Sequence, residues 1–234
     1  MDKKSIEALT EEAVRDANLY PSEIPGIDLY VDQVTSLMTE KLKEGSERFA
    51  DRVLTKTMIN NYSKDGLIAP VKGKKYNSEQ ILQMLLVYEL KNTLSIGEIK
   101  CLLQSFYEQP DYSAEGLEEV YLRFLRMKET ERAEMPGTVA SFVEEHGIDP
   151  ANEADFLTLI LGLSTLSSYL KNTVQALLEE HGAARVREEK ERREHAKRAK
   201  EEKKTAAKIA KLEAAMQEAR QESAKGAQGE SKHE

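Results

Sequence analysis

The chain has 234 residues, 40% of them apolar, and a net charge of −8, which allows one or two small domains with a packed core. Its polar start, Met1-Asp2-Lys3-Lys4, lacks the apolar stretch of a secretion signal, and its longest uncharged apolar run, Phe156 to Leu170, is shorter than the ~20 residues that cross a bilayer. Cys101 is the single cysteine, so disulfides within the chain and multi-cysteine zinc sites are excluded and a reducing cytoplasm is the expected compartment.

In chain order, Ser5 to about Asn18 is expected to form an amphipathic helix, which Tyr20-Pro21-Ser22-Glu23-Ile24-Pro25-Gly26 breaks. Residues 1–26 are therefore a lead-in. From Tyr30 to about Lys43, Val31, Val34, Leu37, Met38 and Leu42 recur at steps of three and four, the core face of a second helix. Thr55 can cap a third, whose Met58, Ile59 and Tyr62 share a buried face. Its other face carries Lys56, Asn60 and Lys64 every fourth residue, with Thr57 and Asn61 beside them, and Gly66 ends it. Two asparagines are poor helix formers, but an Asn amide can make a bidentate contact to adenine in a major groove.

Val71-Lys72-Gly73-Lys74-Lys75-Tyr76 then reads as a tight hairpin with three lysines at its tip. Ser78 opens a helix to about Asn92, and Ser95-Ile96-Gly97-Glu98 is a capping box opening another through Leu103. Between Arg52 and Lys75 six basic residues face one acidic residue, Asp65. The positive charge thus falls on the third helix and the hairpin of an otherwise acidic chain, where it can attract DNA to one face only. The alternative is an ordinary solvated surface with chance lysines, and the regular spacing of the polar face is what weighs against it.

The order helix, hairpin, helix, helix resembles the winged helix-turn-helix of MerR-type bacterial regulators, in Thr55-x-x-x-Ile59-x-x-Tyr62-x-x-x-Gly66-Leu67-Ile68-x-Pro70, Tyr76-x-Ser78-Glu79 and Leu94-Ser95-Ile96-x-Glu98-Ile99-Lys100. The chain is still more similar to an uncharacterised bacterial family, domain of unknown function 1836, in Ile27-Asp28-Leu29-Tyr30-x-Asp32-Gln33-Val34 and Leu54-Thr55-Lys56-Thr57-Met58-Ile59-Asn60-Asn61-Tyr62. Thr57 and Asn60 stand where MerR proteins typically carry arginines, and Glu44 to Val53 makes a longer turn than usual. The resemblance implies a transcriptional regulator that binds double-stranded DNA. Thr57, Asn60 and Asn61 would then reach base edges, Lys56 and Lys64 phosphates, and Lys72, Lys74 and Lys75, with Tyr76 in the same wing, the backbone beside the groove.

Further on, Leu117 to about Glu134 carries a helical stripe that is expected to stop before Met135-Pro136-Gly137, with a short helix from Val139 to His146. Asp149-Pro150 restarts the chain as cap and first helical residue. The helix from Ala151 to His181 is apolar on more than one side, and Leu159, Leu163, Leu166 and Leu170 are expected in a homodimer interface. Glu-Glu-His-Gly occurs at Glu144 to Gly147 and again at Glu179 to Gly182. Both copies read as helix ends rather than metal ligands, each His near the negative end of the dipole and each Gly as terminator. Cys101 reads as a small core residue.

From Ala183 to Lys204 ten basic and six acidic residues leave Val186 as the only large apolar side chain. Pairs such as Glu188 with Arg192 favour a solvated helix, Ile209, Leu212 and Met216 give one weak stripe, and Gly, Ser and Gln follow. The expected fold is thus all-α with one small two-stranded wing: lead-in 1–26, winged helix-turn-helix 27–108, helical dimerisation domain 109–182, charged tail 183–234. No phosphate loop, nucleophile set or metal-ligand spacing marks an enzyme, and no cofactor is implied. The competing expectation is a non-catalytic interaction module that keeps the winged fold and binds a partner through 151–181.

Overall fold

Helix α1 (Lys3–Val14) begins where the Asp2 carboxylate accepts hydrogen bonds from the Ser5 N–H at 2.8 Å and the Ser5 hydroxyl at 2.6 Å, which satisfies one of the free donors of the first turn. In this computed structural model, which describes residues 2–52, 54–71 and 73–184, α1 lies along a much longer helix near the other end of the fold. A 3-10 turn (Pro21–Glu23) then leads to strand β1 (Leu29–Tyr30) and helix α2 (Val31–Leu42), which buries Val34 and Met38. The loop after α2 passes so close to the end of α1 that a Cβ on Gly45 would stand 3.1 Å from the Arg15 carbonyl oxygen. Glycine is needed there, and the Ser46 N–H next to it donates to that same oxygen at 2.6 Å.

After a second 3-10 segment (Glu47–Arg52) come helix α3 (Lys56–Lys64), strand β2 (Lys75–Tyr76) and helices α4 (Ser78–Leu90) and α5 (Ile96–Tyr107). The expected caps form. Thr55 Oγ1 accepts from the Met58 N–H at 3.2 Å, and the Ser95/Glu98 box closes with bonds of 3.3 and 2.7 Å. β2 does not fold back on the residues before Gly73, however. It pairs antiparallel with β1, Leu29 opposite Tyr76 and Tyr30 opposite Lys75, so the two-stranded element joins distant segments. Gly73 does make the expected turn, at φ +82°, but Tyr76 and Leu29 gain more from sharing the core than a two-residue hairpin would supply.

Helix α6 (Ala114–Glu145) corrects another expectation, because it runs unbroken through Met135-Pro136-Gly137. Pro136 removes one intrahelical bond, and the chain touches α6 on both sides of it: Lys3 of α1 pairs with Glu144 at 2.7 Å, and the Arg132 guanidinium donates to the carbonyl of Asp16, just after α1, at 2.7 Å. Between these ends Ile6 packs with Val143 and Leu159 in a small core. The first half of α6 belongs to the main core, where Leu117, Tyr121 and Leu125 meet residues of α2 to α5. The Tyr121 hydroxyl donates to the Leu19 carbonyl at 3.1 Å and ties down the connector after α1.

Residues 153–184 form the last described helix, α7. Its cap is Asn152, whose side-chain oxygen accepts from the N–H groups of Ala154 and Asp155 at 2.9 and 3.2 Å. Asp149 and Pro150 lie in the preceding turn instead. Gly147, at φ +62°, ends α6 as expected, whereas Gly182 sits inside α7. By their contacts, residues up to Leu178 form one compact unit and Glu179 opens another. Among the described residues no helix is long and apolar enough to cross a membrane. The expectations for Lys72, for the side chains of Leu42 and Arg52, and for the tail beyond Ala184 fall outside the described residues.

Candidate nucleic-acid interface

Helix α3 is divided sharply between its two sides. Ile59 and Tyr62 are buried in the main core, and burial pushes the Tyr62 phenol above its ordinary pKa. Lys56, Thr57, Asn60, Asn61 and Lys64 are all exposed on the other side. Nine residues of helix thus present five polar side chains on a face held rigid from behind, and helix edges with amide and ammonium donors suit both base edges and phosphates.

Neighbouring elements add to this face. Lys56 forms an ion pair with Asp32 in the first turn of α2. Lys74 and Lys75 are exposed in and after the Gly73 turn, and the Lys75 ammonium stands 5.0 Å from the centre of the Tyr30 ring across the β1–β2 pair. Tyr30 is 50% exposed and Tyr76 only 5%. The site expectation is corrected accordingly: Tyr76 is a core residue, because its register opposite Leu29 turns it inward, and the exposed aromatic beside the lysines is Tyr30. The signal for it was the alternation of inward Leu29 and outward Tyr30, which is hard to see when Tyr30 is read as the start of α2.

The base of the turn is fixed by two buried glutamines of α4. Gln83 Oε1 accepts from the Ala69 N–H at 2.7 Å, and Gln80 Nε2 donates to the carbonyls of Ala69 and Pro70, each at 3.1 Å. Gln83 also donates to the Tyr112 hydroxyl at 3.3 Å, which in turn donates to Glu79 at 2.5 Å. Buried amides satisfied in this way hold the segment after α3 in one place, which gives the exposed lysines a defined position. Nothing in the local sequence marks either glutamine, because their partners lie 10 to 14 residues earlier in the chain.

The residues expected in a subunit interface separate into two groups. Leu159 is buried against Ile6 and Val143, and Leu163 is half-buried beside them, whereas Leu166 and Leu170 are 43% and 61% exposed. Leu159 is therefore a correction, since it closes the core of its own chain. Where α7 departs from α6 it leaves an apolar groove of about 900 Å³, walled by Met135, Val139 and Phe142 on one side and Leu166, Leu170 and Val174 on the other. Cys101, expected in the core, is exposed, because it lies on the side of α5 away from buried Ile99 and Leu103. Among the described residues no three His, Cys, Asp or Glu side chains gather as metal ligands.

Residues 19–124 match the family described as Domain of unknown function (DUF1836), a segment that runs from the connector after α1 to the first third of α6 and contains the whole polar face of α3. No curated protein and no solved structure matches the chain.

Proposed function

We propose that this chain is a sequence-specific DNA-binding transcriptional regulator of the bacterial cytoplasm, built on a MerR-like winged helix-turn-helix. Helix α3 enters the major groove with Thr57, Asn60 and Asn61 toward base edges and Lys56 and Lys64 toward phosphates. Lys74 and Lys75, with Tyr30 beneath Lys75, grip the backbone next to the groove, and Lys72 is assigned the same role. Two copies read two half-sites.

The observation that carries the reading is the one-sided α3, five exposed polar residues backed by buried Ile59 and Tyr62. The Lys56–Asp32 pair fits it as well: both side chains are more than half exposed, so a phosphate can replace the carboxylate at little cost. Selection of bound duplexes from random DNA tests the proposal, which expects recovery of one recurrent sequence dependent on Asn60 and Asn61. Recovery without any enrichment would sink it. A second reading, a non-catalytic module that binds a partner protein through α7, is favoured by the large apolar residues exposed there, and predicts no duplex binding at all.

A further inference from the structure

The polar face of α3 carries a preference among bases. Asn60 and Asn61 are exposed, and neither side-chain amide is hydrogen-bonded to another group among the described residues. Each therefore keeps a free N–H donor and a free carbonyl acceptor side by side. Ile59 and Tyr62, buried in the main core, fix the helix about its axis, so both amides stay on the open side.

Such a donor and acceptor pair is selective. In the major groove adenine offers the acceptor N7 next to the N6 amino donor, and an Asn amide matches both, Nδ2 donating to N7 and Oδ1 accepting from N6. Guanine places a second acceptor, O6, where that amino group would be. The Asn carbonyl then faces another oxygen, and both lack a donor in a contact that excludes water. Guanine is read by cations instead, and the cations of α3 stand at its ends: Lys56 opens the helix and pairs with Asp32 of α2, and Lys64 closes it. No arginine lies in the helix, and Thr57, the remaining exposed polar residue, is uncharged. Adjacent Cα atoms are ~3.8 Å apart and base pairs stack at ~3.4 Å, so the two amides fall at the spacing of neighbouring base pairs.

We infer that Asn60 and Asn61 each hold one adenine, so that the duplex this chain selects carries two adjacent A·T pairs under the middle of α3 and a G·C pair at either is rejected. The inference rests on the DNA-binding reading above and names the sequence class which that site takes. Each matched contact favours adenine over the wrong base by about 5- to 150-fold.

The test uses the full chain and a duplex selected from random DNA, in which 7-deazaadenine replaces adenine at each A·T pair in turn. This base lacks N7 but still pairs with thymine. It should weaken binding of the parent chain by about 2- to 10-fold, the value of one hydrogen bond, at two adjacent pairs. In the Asn60→Ala chain one of these two replacements should cost nothing further while the other keeps its full effect, and Asn61→Ala should reverse them. Both residues are exposed, so each variant should keep the helical spectrum of the parent. A parent chain indifferent to 7-deazaadenine at every A·T pair, G·C pairs where the two variants lose their preference, or equal losses in parent and variants would overturn the inference and leave the DNA-binding reading standing. A parent chain that enriches no sequence defeats that reading, and the inference with it.

Discussion

Pro136 offers a quantitative test of why α6 stays whole. A proline inside a helix costs ~3 kcal/mol through the lost N–H and the clash with the preceding turn, and here the unpaired acceptor is the Arg132 carbonyl, four residues back. Pro136→Ala restores the donor, while the freer unfolded chain takes back ~0.5–1 kcal/mol. The net expectation is a gain of about 2 kcal/mol, or roughly 4–8 °C in melting temperature for a chain of this size. If α1 holds α6 together across the defect, as the Lys3–Glu144 and Arg132–Asp16 contacts at its two ends indicate, the gain should be larger when α1 is loosened. Ile6→Ala, which opens the small core with Val143 and Leu159, should cost ~2–4 kcal/mol in the parent and at least ~0.5 kcal/mol less in the Pro136→Ala background. Urea unfolding followed by circular dichroism measures all four proteins. Strict additivity, or a Pro136→Ala protein no more stable than the parent, would refute the bridging role.

On α3, Ile59→Ala should cost ~2–5 kcal/mol of stability because the side chain is fully buried, whereas Asn60→Ala on the exposed side should change the urea midpoint by no more than ~0.5 kcal/mol equivalent; similar losses in both would mean that the polar face is packed. Burial and the Glu79 hydrogen bond raise the Tyr112 phenol to about 12, and burial raises Tyr107 and Tyr121 further. Since the fold favours the neutral phenols, stability should be intact below pH ~10 and fall as pH rises toward 12. Urea midpoints at pH 9 and 11 check the sign, absorbance at long wavelength reports ionisation without interference because the chain has no tryptophan, and a flat midpoint would contradict it. Lys74→Ala should weaken binding to every duplex alike and lower the salt slope by about one.

The sequence carried the helices well wherever local chemistry decides them. Thr55 and Ser95 announced their caps, and the step pattern of Ile59 and Tyr62 placed the buried side of α3. Long-range choices were much less visible. That β2 pairs with β1 depends on Leu29 and Tyr76 meeting in a common core 47 residues apart in sequence, which no turn signal encodes. The break expected at Met135-Pro136-Gly137 failed for a similar reason: Pro and Gly report local cost, whereas the contacts of α6 with Lys3 and Asp16 come from more than a hundred residues away. Leu159 and Cys101 changed places, so to speak, because periodicity identifies an apolar position but does not say whether the chain itself covers it. For the site, Lys56, Thr57, Asn60, Asn61 and Lys64 were legible as a one-sided face, while Tyr30 and the two buried glutamines required the packing to be known.

The most direct test of the central claim is the affinity of the full chain for its selected duplex and for a scrambled duplex of equal length, measured by fluorescence anisotropy at fixed salt. The account predicts that Asn60→Ala loses ~1–3 kcal/mol on the selected duplex and little on the scrambled one, whereas Lys74→Ala loses similarly on both. Equal losses on the two duplexes for Asn60→Ala, or no preference of the parent chain for either, would contradict it.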